Sequence, residues 1–246
     1  MTARTALHLL SDGVIKVDGG VVFGQVPKGQ WQDWTPPDRR NRVRMGLNCL
    51  LVRSGGKNFL IDTGVGHKLS PDVRNTFGVG ASQLMPALHK LGCPPQEIHG
   101  VVLTSLHFEH TGNCTKMERR LGVVPTFPRA RYYVQRAAFE EAMSPSERDP
   151  GGFIEEDYMP LYDKGQLELV DGDTMLAPGI EVRCTGGPSK GHQVVMINHG
   201  GERVAVLGDL VPTRHHLRFA CIASSDRQPE ETLEAKKQVL NDAVSE

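Results

Sequence analysis

The chain has 246 residues, long enough for one large domain, with 39% hydrophobic and 23% charged residues, the balance of an ordinary globular protein. Its formal net charge of -1 and the lack of a long basic block argue against nucleic acid as a partner. No apolar run approaches the roughly 20 residues that span a bilayer, and the opening MTARTALHLLSDG lacks a signal-peptide pattern, so no membrane and a cytoplasmic location are expected.

In chain order, VIKVDGGVVF (14–23) reads as two short strands around a Gly-Gly turn. Residues 24–44, with Trp31, Trp34 and the Pro36–Pro37 pair, read as an irregular N-terminal arm. Its basic tail DRRNRVR is expected at an exposed surface or an oligomer contact, which makes a homodimer the oligomeric expectation. LNCLLVRSGGKNFLIDTG (47–64) gives strand, hairpin turn and strand, with Asp62 and Gly64 at the exit. Both runs are almost continuously apolar, as strands covered on two faces should be.

A helix is expected over 81–91, stopped by Gly92 and Pro94–Pro95. A buried strand, Val101–Thr104, then leads into the polar loop TSLHFEHTGN (104–113). Residues 130–143 start as a strand and pass into a helix, and 144–165 form a long acidic excursion suited to wall a pocket. Strands follow over 166–173, 179–187 and 192–210, the last split by an HGG turn, and Pro229 opens an amphipathic terminal helix. Cys49, Cys93, Cys114, Cys184 and Cys221 are odd in number, widely spaced and without a CxxC pair, so buried thiols are expected.

Three loops after apolar strands carry metal-binding side chains: His107, Glu109 and His110, then His192, then Asp209. A metal hydrolase needs ligands converging from several strand ends, with one coordination position left open. A lone imidazole at a strand end is more often a hydrogen-bonded structural group. Three ligating groups within four positions, joined by an aspartate after AVLG, point to a site.

These segments resemble the metallo-β-lactamase superfamily in its lactonase-like, general metallohydrolase branch. The resemblance runs through LIDTGVG (60–66), LTSLHFEHTGN (103–113), TGGPSKGHQ (185–193) and VLGDLVPTRHHL (206–217), in that order. It implies an α/β fold, the four-layer αββα sandwich, as a single domain over 1–246 with metals at one edge between the sheets. The family signature T-H-x-H-x-D-H stands here as Thr104, Ser105, Leu106, His107, Phe108, Glu109, His110. One ligand histidine is thus Ser105, and the ligand histidine of the later loop falls on Pro188, leaving His192, which matches a non-ligand position. A further ligand histidine usual on a strand after the last helix has no counterpart before Glu246.

The resemblance therefore implies metal ligation by His107, Glu109, His110 and Asp209, with Glu109 and Asp209 as catalytic carboxylates. Asp62, Ser105, Pro188, His192 and His216 are expected around the pocket or behind the ligands. Proline offers no side-chain donor and a neutral hydroxyl replaces imidazole poorly, so a faithful dinuclear centre is not expected. Two readings follow. In one, the protein is a degenerate, metal-free member in which His107 and His110 hydrogen-bond Asp209 and Glu109, and it acts in binding or regulation of a small-molecule ligand. In the other, one divalent ion (zinc, manganese or iron) serves a reduced mononuclear hydrolase of an ester, lactone or phosphoester.

Overall fold

The computed structural model describes residues 5–149 and 151–245. The chain runs β1 (Ala6–Asp18), α1 (Gly19–Phe23), α2 (Lys28–Trp34), β2 (Arg42–Ser54), β3 (Lys57–Ile61), α3 (Pro71–Thr76), α4 (Leu84–Lys90) and β4 (Gly100–Val102). After the polar loop and its short helix α5 (Phe108–Thr111) come β5 (Thr115–Glu118), β6 (Gly122–Pro125), β7 (Arg131–Gln135), α6 (Arg136–Met143) and α7 (Glu155–Asp163). The remainder is β8 (Leu167–Val170), β9 (Thr174–Ala177), β10 (Ile180–Cys184), β11 (Gln193–His199), β12 (Glu202–Val206) and α8 (Pro229–Ser245).

Two sheets organise these elements. The first has six strands in the order β1-β2-β3-β4-β7-β8, and the second has four in the order β12-β11-β10-β9. Strand periodicity sorts their side chains into layers. Val52, Phe59, Ile61 and Val102 of the first sheet meet Ile180, Val182, Val195 and Ile197 of the second in one buried cluster. The intervening residues Leu51, Leu60, Val101 and Tyr132 face the other way, onto Leu84 and Leu88 of α4, Phe139 of α6 and Tyr158 of α7. Across the second sheet, Val194 and Met196 pack on Val239 of α8. The result is the αββα sandwich.

Several local expectations are corrected. Residues 14–23 do not form two strands: one strand continues to Asp18, and 19–23 is a helical turn. Asp18 caps that turn, its Oδ1 accepting from Gly20 N at 2.8 Å and Val21 N at 3.3 Å. The arm 24–44 is not irregular, since it holds α2 and the start of β2. Trp31 is buried and stacks on Phe23, with ring centroids 5.4 Å apart. Its basic tail is partly tied inward, because Arg42 bonds Asp38 and the carbonyls of Asn75 and Thr76. The excursion 144–165 contains α7, and Cys184 is exposed while the other four cysteines are buried.

Asp12 is a buried anchor that the sequence analysis did not single out. A bulge between Ser11 and Val14 turns its side chain inward. Oδ2 accepts from Val65 N and Gly66 N, both at 3.0 Å, and Oδ1 accepts from Gln83 N and Leu84 N, also at 3.0 Å, as well as from Ser82 Oγ. One carboxylate thus holds the loop after β3 and the start of α4. An Asp12→Ala substitution strands the backbone donors of Val65, Gly66 and Leu84, and a loss of about 3 kcal/mol or more is expected from denaturant unfolding. The exposed cap variant Asp18→Ala serves as the comparison, with an expected loss of about 1 kcal/mol. Equal losses in the two variants would remove Asp12 from this role.

Candidate functional site

The site forms where three strand exits meet. At the end of β3, Asp62 adopts a left-handed backbone, φ 53°, which is uncommon for a residue with a side chain. That turn directs its carboxylate across to the loop after β4. Asp62 Oδ1 accepts from Thr104 N at 2.8 Å, and Oδ2 accepts from Thr104 Oγ1 at 2.7 Å. The loop is pinned from behind as well: Thr63 N donates to the His110 carbonyl at 2.7 Å and Gly112 N to the Gly64 carbonyl at 2.7 Å.

His110 links the parts. Its Nδ1 lies 2.9 Å from Asp62 Oδ2, and its Nε2 lies 3.1 Å from Asp209 Oδ2. Burial disfavours the charged ring, but the carboxylates of Asp209 and Asp62 outweigh it and raise the His110 pKa well above its ordinary value. The same pairing keeps Asp209 below the usual carboxylate range, although burial alone would push it up.

His192 works from below. Among the described residues its Nε2 accepts the backbone N–H of Asp209 at 3.2 Å, so the ring proton sits on Nδ1 and faces Thr185 Oγ1 at 2.6 Å. With both nitrogens engaged it orients Asp209 rather than offering a lone pair. Burial, its largest influence, drives its pKa down to about 4. Gly208 makes this packing feasible, since a Cβ there would lie 2.8 Å from His192 Nε2 and 2.9 Å from Thr104 Cβ, at φ +52°.

Of the four residues expected to bind metal, three converge: His107, Glu109 and Asp209 each offer an atom within 4.8 Å of the others. His110 stands beside them as a strut between two carboxylates. Glu109 Oε2 is buried without a hydrogen-bond partner among the described residues. A buried carboxylate oxygen with no donor is costly unless a cation or water meets it. Burial raises the Glu109 pKa, and His107 and His110 counter that only in part. The donor set of one imidazole and two carboxylates suits a divalent ion. It accommodates at most one, and the side chains also form a bonded network without it.

His107 pairs with Asp149, Nε2 to Oδ2 at 3.1 Å, instead of with Asp209 or Glu109. Ser105 is buried, and its Oγ accepts from His107 N at 3.2 Å, so it supports the loop backbone. Pro188 is buried and lines the cavity above the cluster without a donor atom. His216 turns toward α1: Nε2 is 2.9 Å from the Val22 carbonyl, Nδ1 is 2.8 Å from Thr213 Oγ1, and the ring stacks on Phe23. Trp34 stacks on His215 outside the cavity, whereas Phe108 lines it. The cavity holds about 430 Å³, with Ile15, Val17, Met45 and Phe77 on one wall and His107, Glu109, Asp149 and Asp209 at its polar end.

The matches to known proteins agree with this geometry. The family model of the metallo-β-lactamase superfamily matches residues 43–244. An N-acyl homoserine lactonase of Bacillus cereus is 23% identical over 168 residues, 64% of this chain and 60% of its own length. The lactonase AttM of Rhizobium johnstonii is 31% identical over 109 residues, 40% of this chain and 38% of that protein, so the chain spans less than two thirds of the length of either relative. Among solved structures, a probable metal-dependent hydrolase from Staphylococcus aureus is 26% identical with a TM-score of 0.90, covering 98% of this chain and 85% of that one. The dizinc quorum-quenching lactonase AidC, 19% identical with a TM-score of 0.78 over 98% of this chain and 84% of its own, shares the fold. The chain belongs to the metallo-β-lactamase superfamily, and among the described residues His107, Glu109 and Asp209 form a reduced, three-ligand cluster.

The two histidines of opposite shift predict different pH limits. His192, with its folded pKa depressed, adds stability above its unfolded value of about 6.5 and loses it as pH falls toward about 4. His110, with its folded pKa raised, stabilises fully below about 6.5 and loses that contribution as pH rises through its folded value. Denaturant unfolding from pH 7 down to pH 4 should therefore cost the wild type on the order of 3 kcal/mol more than His192→Gln. Parallel pH profiles would contradict the assignment.

Proposed function

We propose that this protein is a metal-dependent hydrolase of a carboxylic ester or lactone, working with one divalent ion. The unpartnered Oε2 of Glu109, on a carboxylate that offers an atom within 4.8 Å of those of His107 and Asp209, is the observation that carries this reading. An ion held by His107, Glu109 and Asp209 would act as a Lewis acid toward the substrate carbonyl and would activate water for attack.

The chain's own groups do the rest. Asp209 is fixed by His110 at one oxygen and by His192 at its backbone, so its carboxylate needs no reorganisation when substrate arrives. Glu109, with its pKa raised, is suited to exchange a proton when it is not a ligand; it cannot serve as both at once. The apolar wall of Ile15, Val17, Met45, Phe77 and Phe108 would take the hydrocarbon part of the substrate and keep bulk water from the reacting bond. Lactones fit the similarity to N-acyl homoserine lactonases. A phosphoester fits less well. Its charge would face Glu109, Asp149 and Asp209, and the nearby Arg148 and Arg227 are already engaged by the Ser224 carbonyl and Glu141.

One observation favours a metal-free binding protein instead: His107 and His110 already have carboxylate partners. That pairing leaves Glu109 unsatisfied, and the hydrolase reading accounts for it. Protein stripped with a chelator and titrated with zinc or manganese should take up one equivalent and gain hydrolysis of acyl lactones. Glu109→Gln and Asp209→Ala should each weaken metal binding at least about 100-fold and abolish the gain. Metal-independent binding of acyl lactones without turnover would decide for the binding protein.

A further inference from the structure

Outside the three-ligand cluster, Asp149, Gly152 and Phe153 of the excursion are fastened directly to the metal-binding loop. Phe108 N donates to the Gly152 carbonyl at 2.9 Å, and His107 and Phe153 form an isolated antiparallel bridge. Their rings also meet edge-on, with centroids 4.6 Å apart. Asp149 is seated on this segment by Gly152, where a Cβ would come within 2.4 Å of the Asp149 carboxylate. The Arg148 guanidinium, bonded to the Ser224 carbonyl at 2.6 Å, braces the preceding residue. The Asp149 carboxylate then reaches His107 Nε2 at 3.1 Å.

Resting on the metal-centre reading above, we propose that Asp149 is the positioning residue for His107: it accepts the Nε2 proton and leaves Nδ1 as the nitrogen offered to the ion. A histidine ligand needs its second N–H held if tautomer and ring plane are to be fixed, and a carboxylate in that place also raises ligand basicity. The demand is acute here. Ser105 and Pro188 carry no imidazole, and His110 and His192 have both nitrogens engaged, so among the described residues His107 is the imidazole left to the cluster. Asp149 is not one of the three clustered residues but meets one of them, His107, at Nε2, the placement of a partner behind a ligand. The excursion thus closes the site chemically as well as sterically.

The test is zinc affinity of the full chain by competition with a chromophoric chelator, with wild type, Asp149→Ala, Asp149→Asn and His107→Ala in parallel. Asp149→Ala should bind zinc about 10- to 100-fold more weakly than wild type. Asp149→Asn, which keeps a carbonyl acceptor, should recover most of that loss. Melting temperatures of the metal-free variants should stay together, which separates positioning from folding. A long-range proton–nitrogen spectrum of the zinc-loaded wild type should place the His107 proton on Nε2. Equal affinity of wild type and Asp149→Ala, or a proton on Nδ1 with zinc on Nε2, would overturn the assignment of Asp149 while leaving the metal centre standing. Zinc uptake by no variant, wild type included, would instead bring down the metal-centre reading, and the inference with it.

Discussion

The bridge Asp62–His110–Asp209 is the constraint on which the site depends. It joins the exit of β3 in the first sheet to the turn after β12 in the second, through one buried imidazole whose nitrogens each meet a carboxylate. Sheet packing alone fixes the distance between these strand ends no better than side-chain repacking permits. A charge-assisted bond at each nitrogen fixes it more closely, and in a buried setting such bonds are strong because water does not compete. Thr104, Thr63 and Gly112 then hold the loop that carries His107 and Glu109 against the same carboxylate-bearing turn.

The bridge also limits the chemistry. An imidazole used as a strut is withdrawn from ligation, so its position beside Asp209 does not add a fourth donor to the cluster. Ser105 and Pro188 remove two more donors, one by supporting the backbone of His107 and one by presenting only an apolar ring edge to the cavity. What remains is a compact set of three groups, His107, Glu109 and Asp209. The balance between an occupied and a metal-free site is then set by Glu109, whose buried Oε2 has no other partner among the described residues.

The fold was legible in the sequence because its cues were local and redundant. Apolar runs ending in Asp62, Thr104 and Asp209, the SGG and HGG turns, and the terminal amphipathic helix marked strands and loops in their correct order. The reading failed where a tertiary contact overrode a local signal. Gly19–Phe23 looks like a strand after a glycine turn, yet it coils because Asp18 caps it and the Trp31 ring lies against Gly19. Asp12 carried no local signal of its role: a bulge between Ser11 and Val14 aims its carboxylate inward, toward donors more than fifty residues away. The site was legible by residue type, and roles within it were not. His107, Glu109 and Asp209 could be picked out, whereas His110 as a strut, His192 beneath Asp209 and His216 against Phe23 depend on which nitrogen meets which neighbour. Asp149 had no signal at all, since an acidic residue in a long excursion reads as solvated surface.

The central claim is that this scaffold keeps one metal position and has converted its neighbour into a hydrogen-bonded strut. Crystals grown from metal-stripped protein, soaked in zinc and measured on both sides of the zinc absorption edge, test it most directly. The account predicts a single anomalous peak in contact with His107, Glu109 and Asp209, with His110 still bonded to Asp62 and Asp209. Two peaks, a peak coordinated by His110, or no peak at Glu109 would contradict it.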